Sequence, residues 1–239
     1  MAAQGFFKRT RNDDYNDTLF DKLILDENDS VLDVGCGEGS ITIPLSRKVK
    51  NITAIDSSPK MLEYLKKRCD EYNIDNIESK LMAIEDITYE NIGDIDVVVC
   101  SRSLNGIVPI EKVISELNKI ANKYVFITVF GPENKKIEKD FEKEIGIKTE
   151  NFPDYNYLFN ILFNMGIYAN VERFELNTYR EYESIEKAMD NGKFRLDLYS
   201  DDEKEMLKDY LKRILQKNSQ GKYYNVKDKA DWVLIWWKK

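Results

Sequence analysis

The chain has 239 residues, 42% of them hydrophobic and 33% charged, with a formal net charge of -7 and no histidine. This length suits a single α/β domain, residues 1–239, and the acidic balance, with a pI near 5.0, argues against a nucleic-acid partner held through its phosphates. Without histidine there is no His general base, no Ser-His-Asp triad and no His-ligated metal, so no metal site is expected.

Residues 1–29 read as an N-terminal helical arm, with Tyr15, Leu19, Leu23 and Ile24 at helical spacing. A short buried strand is predicted at 31–34 and a crossover helix at about 40–48, with Pro44 required to fall in its first turn. The second strand follows at 52–55. Ser57-Ser58-Pro59 then opens a helix whose apolar stripe runs through Met61, Leu62, Leu65 and Cys69. Further strands are predicted at 77–82 and 96–100, a helix at 109–121 and a fifth strand at 124–130.

Residues 131–168 form a polar insertion that ends in a helix from 154 to 165, with Gly166 as its stop. A sixth strand covers 169–176. Residues 178–228 make a second excursion with helices near 181–190 and 201–217, and the last strand is 232–237. The expected architecture is a Rossmann-like, doubly wound, seven-stranded α/β sheet. It is mostly parallel, its last strand is antiparallel, and helical insertions precede strands six and seven.

Cys36, Cys69 and Cys100 form no CxxC pair, which fits a reducing, cytoplasmic setting. No apolar run approaches the roughly 18 residues that a membrane span needs, so no membrane partner is expected. The sequence sets no oligomeric state.

The most informative segment is Val31-Leu32-Asp33-Val34-Gly35-Cys36-Gly37-Glu38-Gly39-Ser40, a buried strand followed by alternating glycines and a helix start. Glycine belongs where the chain turns with positive φ or where a ligand lies against bare backbone. A dinucleotide turn asks for G-x-G-x-x-G, whereas this one reads G-x-G-x-G with Ser40 in the third-glycine position. Asp33, two residues before Gly35, suits a ligand with a cationic amino-acid end better than a pyrophosphate, which it would repel.

VLDVGCGEGSIT resembles the first motif of the class I S-adenosylmethionine-dependent methyltransferases, and the order of elements is similar to that family from about residue 15 onward. The resemblance implies S-adenosyl-L-methionine as cofactor. It also implies that Asp33 orients the methionine amino group and that Gly35, Cys36, Gly37 and Gly39 pass beneath the cofactor.

Asp56 ends the second strand twenty-one residues after Gly35, where a carboxylate accepts both ribose hydroxyls. A helix cap is the competing role, open to Ser57 or Ser58 as well. Met61 lies where the family packs an apolar side chain near adenine, and core packing would place it equally well. Where the family carries G-D-A-x-x-L, this chain has Ala83 in place of the acid. Backbone at Ile84 and the side chain of Glu85 or Asp86 remain for adenine. At the fourth strand's mouth no N-P-P-Y occurs; Ser101 is a candidate for the methionine end, and Arg102 either holds an anionic substrate group or solvates its loop.

The resemblance places the acceptor site in the insertions, with Tyr155, Tyr157 and Tyr179 as candidates and Tyr15 closing over the cofactor. Packing competes for each of them. No catalytic residue is assigned. The leading function is methyl transfer to a small molecule. The alternatives are a protein or RNA acceptor and a non-catalytic cofactor-binding scaffold, and a Rossmann oxidoreductase is the competitor on the glycine turn.

Overall fold

In the computed structural model β1 (Ser30–Val34) lies at the centre of a sheet, which is why Val31 to Val34 are buried on both faces. The structure describes residues 14–147, 155–190, 194 and 196–239. The start of the N-terminal arm, residues 1–13, and residues 148–154 of the first insertion lie outside the described residues.

After α1 (Tyr15–Phe20) and β1 come α2 (Thr42–Leu45), β2 (Asn51–Asp56), α3 (Pro59–Tyr72), β3 (Ile77–Leu81), α4 (Tyr89–Ile92) and β4 (Ile95–Ser101). The chain continues through α5 (Ile110–Ile120), β5 (Ala121–Phe130), α6 (Lys136–Glu144), α7 (Tyr155–Asn164) and β6 (Asn170–Tyr182). It closes with α8 (Ile185–Met189), α9 (Asp201–Ile214), β7 (Gln216–Lys217) and β8 (Tyr223–Lys238).

The strand order is β3-β2-β1-β4-β5-β8-β6, with β7 paired to β8 off that path. β1 to β5 pair in parallel, and β8 runs antiparallel between β5 and β6. The order reverses between β1 and β4, so the crevice beyond their carboxyl ends is the place where an open α/β sheet binds a ligand.

Period-two alternation sends Leu32, Val34, Val98, Cys100 and Ile127 to one face, beneath Val113, Ile114 and Leu117 of α5 and Leu158, Ile161 and Leu162 of α7. Val31, Ile52, Val97, Val99 and Phe126 face the other side, covered by Tyr15 and Leu19 of α1, Leu45 of α2 and Leu65 of α3. A third apolar cluster joins the insertions to one another through Ile137 and Phe141 of α6, Ile185 of α8 and Leu207 and Leu211 of α9.

Four expectations are corrected. Among the described residues the sheet has eight strands rather than seven, because the two-residue β7 pairs with β8 beside the seven-strand path. The helix expected at 181–190 shrinks to Ile185–Met189, since β6 runs on to Tyr182 by pairing with the equally extended β8 (Tyr179 opposite Lys229, Tyr182 opposite Tyr223). The last strand accordingly begins at Tyr223 rather than at 232. The first crossover helix forms only over Thr42–Leu45: Pro44 falls in its first turn as required, but after Ser46 donates to Thr42 the chain tightens into a turn in which Lys48 donates to Leu45.

Candidate cofactor site

The glycine turn leaves β1 and folds across the end of β2, where the Gly35 and Cys36 N–H groups both donate to the Ile55 carbonyl at 2.9 Å. Gly35, Gly37 and Gly39 have φ of 74°, 56° and 86°, the left-handed region that only glycine enters freely. Their surroundings differ. A Cβ on Gly35 would lie 2.5 Å from the Ser103 Cβ, and one on Gly39 2.5 Å from Leu65 Cδ1, so both positions are closed by packing from β4's loop and from α3. A Cβ on Gly37 meets nothing within 4 Å, which leaves bare backbone open to a ligand.

Asp56 braces the turn. One carboxylate oxygen accepts the Gly37 N–H at 2.9 Å and the other the Ser58 N–H at 2.8 Å. The cap of α3 is Ser58, whose hydroxyl accepts from the Met61 N–H, so Asp56 is released from that role. Ser57 is exposed and Met61 half-buried in the first turn of α3. Glu38, 3% exposed, pairs with Arg68 of α3 and locks the turn to that helix.

Asp33 is buried on the face covered by α1 and α2 and accepts the Thr42 hydroxyl at 2.7 Å. Burial pushes its carboxyl up to about 6, only partly offset by that hydrogen bond. Burial likewise raises the thiols of Cys36 and Cys100 far above their usual range, which makes both small packing groups rather than nucleophiles.

Ile84, at the start of a 3-10 turn, places its Cδ1 3.7 Å from a Cβ built on Gly35, and Glu85 follows it half-buried with its carbonyl taken by Lys112. Ser101 ends β4. Its hydroxyl bonds the Tyr15 hydroxyl at 2.8 Å, which in turn bonds Thr128 at 2.5 Å, so α1 is tied to the carboxyl ends of β4 and β5. Arg102 has φ of 60°, held there by its N–H donating to Thr128 at 2.9 Å, and its guanidinium lies 4.0 Å over the Tyr15 ring.

Tyr15 thus joins the turn-side residues, although fully buried rather than lying over an opening. The other tyrosines are not brought together. Tyr155 packs against the α5–α7 core face, Tyr157 is 56% exposed, and Tyr179 stacks on Tyr224 with ring centroids 4.8 Å apart on the strand extensions.

Several groups escaped the sequence reading. Thr42, nine residues after Asp33, supplies that acid's donor. Two buried polar atoms near the turn have no partner among the described residues: Ser103 Oγ, beside Gly35, and Asn16 Oδ1. The Trp232 indole N–H, across from Phe130 and 5.2 Å from Tyr15 between ring centroids, is a third. No His/Cys/Asp/Glu cluster able to hold a metal occurs among the described residues, and no helix there is long and apolar enough to cross a membrane.

The residues fit a sulfonium nucleoside. Open backbone at Gly37, two acids on adjacent strand ends and the orphaned Ser103 hydroxyl offer acceptors for an amine and a ribose, whereas a pyrophosphate would be repelled by Asp33.

Comparison with known proteins points the same way. The model of a methyltransferase domain matches residues 25–218. An uncharacterized protein of Haemophilus influenzae is 30% identical over 224 residues, covering 93% of this chain and 81% of that protein. The 23S rRNA (uracil(1939)-C(5))-methyltransferase RlmD of Pasteurella multocida is 37% identical over 62 residues, 26% of this chain and 14% of that protein. Magnesium protoporphyrin IX methyltransferase from Synechocystis PCC 6803, solved with bound SAH, shares the fold at a TM-score of 0.53 and 18% identity, over 73% of this chain and 78% of that one. The chain therefore belongs to the methyltransferase-domain family, and it is an S-adenosylmethionine-dependent enzyme.

Proposed function

We propose that the chain methylates a small molecule carrying an anionic group. The observation that carries this reading is the Arg102 guanidinium, set at the carboxyl end of β4 by a left-handed backbone and laid over the Tyr15 ring. A cation fixed beside the crevice, on an otherwise acidic protein, supplies a point of attachment for a carboxylate or phosphate of the acceptor.

The cofactor brings an activated methyl group, and the protein's part is to bind and align. Each Asp56 oxygen accepts one backbone N–H and keeps a second lone pair, so the pair can receive the ribose hydroxyls. Asp33 takes the amino group of the methionine end, Gly37 gives it room, and Ile84 with Met61 packs the adenine while Glu85 and Ser57 edge the opening. Ser101 borders the place where the acceptor atom approaches, its hydroxyl held from behind by the buried Tyr15 hydroxyl. Alignment alone supplies roughly 7–11 kcal/mol in reactions of this kind. In a chain without histidine that suits an acceptor needing little or no proton removal.

Feeding methyl-labelled cofactor and the protein to a size-fractionated lysate tests the reading. Label in the low-mass, anion-exchange-retained fraction supports it. Label confined to protein or RNA overturns it in favour of a macromolecular acceptor, and cofactor left unconverted with every fraction would make the chain a binding scaffold.

A further inference from the structure

We infer that Asn16 of α1 receives the ammonium group of S-adenosylmethionine, so that the N-terminal helix is part of the cofactor site and selects for the amino-acid end of the ligand. The inference rests on the glycine-turn reading above and extends it to a residue outside the motif.

The argument begins with Pro44. Having no N–H, it leaves the Ser40 carbonyl without its helical donor, and the Asn16 side chain fills that position from another segment, Nδ2 to Ser40 O at 3.2 Å. A carbonyl can only accept, so the amide nitrogen must face Ser40 and Oδ1 must face away from it. That oxygen is buried and has no donor among the described residues.

The position is not loose. Tyr15, the preceding residue, is anchored to Ser101 and Thr128, and Asp14 accepts the N–H of Asn177 at 2.7 Å while also bonding Thr178. Anchored through the two residues that precede it, the side chain is held against Ser40, and a buried amide oxygen without a donor among the described residues calls for a ligand that donates.

The chemistry narrows the ligand. At the opening residues of α2 the protein gathers two acceptors, Asn16 Oδ1 beside Ser40 and the Asp33 carboxylate beside Thr42. Among the described residues Asp33 has one side-chain donor and Asn16 Oδ1 none. A group with several N–H donors and a positive charge answers both, and a carboxylate would be repelled. Within S-adenosylmethionine that group is the ammonium, while the ribose hydroxyls belong with Asp56 at the end of β2.

Calorimetric titration with adenosylhomocysteine and with 5′-methylthioadenosine, which lacks the amino-acid end, separates the possibilities. Asn16→Leu should weaken adenosylhomocysteine at least tenfold and leave methylthioadenosine within twofold, and Asn16→Asp, which keeps an acceptor there, should recover part of the loss. Unchanged adenosylhomocysteine binding in Asn16→Leu overturns the inference. Equal weakening of both ligands also overturns it, since that reports a displaced helix. If the wild-type protein binds neither ligand, the glycine-turn reading fails first and the inference falls with it.

Discussion

Thr42 and Asp33 are joined by a 2.7 Å hydrogen bond in the buried layer between β1 and α2, and this hydroxyl is the donor that holds the acid in place. Ionising Asp33 there is unfavourable, and its carboxyl titrates at about 6 rather than 3.8. The folded state therefore holds a proton that the unfolded chain releases. Stability contributed by protonated Asp33 is full below pH 4, declines as pH rises toward 6 and is gone above that. The difference is on the order of 3 kcal/mol.

Asp33→Asn should therefore raise the melting temperature of the ligand-free protein at pH 7.5 and leave it nearly unchanged at pH 4.5, while weakening adenosylhomocysteine. Thermal melts across that range check it. A variant less stable than wild type at pH 7.5 would contradict the assignment. Stability given up at a binding residue is the expected trade where an acid waits for its cation.

The same ionisation governs binding. Wild-type affinity for adenosylhomocysteine should fall as pH drops below about 6, because protonated Asp33 no longer attracts an ammonium. Binding of 5′-methylthioadenosine should stay flat from pH 7.5 to 5. Parallel pH profiles for the two ligands would detach Asp33 from the amino-acid end.

Glycine substitutions divide packing from occupancy. Gly35→Ala brings its Cβ to 2.5 Å from Ser103 at φ 74° and should destabilise the fold by about 2–4 kcal/mol. Gly37→Ala meets open space at φ 56° and should cost only about 1–2 kcal/mol, yet reduce adenosylhomocysteine affinity at least tenfold. Chemical denaturation and calorimetry on the two variants decide it; unaltered affinity in Gly37→Ala would mean the ligand does not lie there.

Arg102→Gly relieves a left-handed residue and removes a cation stacked on Tyr15. The two effects oppose each other, so stability should move by no more than about 1 kcal/mol. Cofactor affinity should stay within threefold and methyl transfer to the labelled low-mass fraction should fall at least tenfold. Full transfer would remove Arg102 from the acceptor site.

The central sheet was legible because its signals are local. β1 and β4 read as apolar runs interrupted within the strand only by Asp33 and Asp96, since neighbours bury them on both faces, and the glycine turn and Asp56 sit next to the strands that define them. The extensions of β6 and β8 were not, because 177–182 and 223–231 are polar alone and become strand only by pairing with each other. Helix α6 hid in a lysine-rich stretch whose apolar content facing the insertion cluster reduces to Ile137 and Phe141, one turn apart. In the site, Asn16, Ser103, Thr128 and Trp232 went unread for a shared reason. They converge from four distant segments, and no spacing in the chain announces them.

The most direct test of the account is calorimetric titration of wild type and Asp56→Ala with adenosylhomocysteine and with NAD. The account predicts that wild type binds adenosylhomocysteine and not NAD, and that the variant loses at least tenfold in affinity. Wild-type affinity in Asp56→Ala, or tight binding of NAD alone, would contradict it.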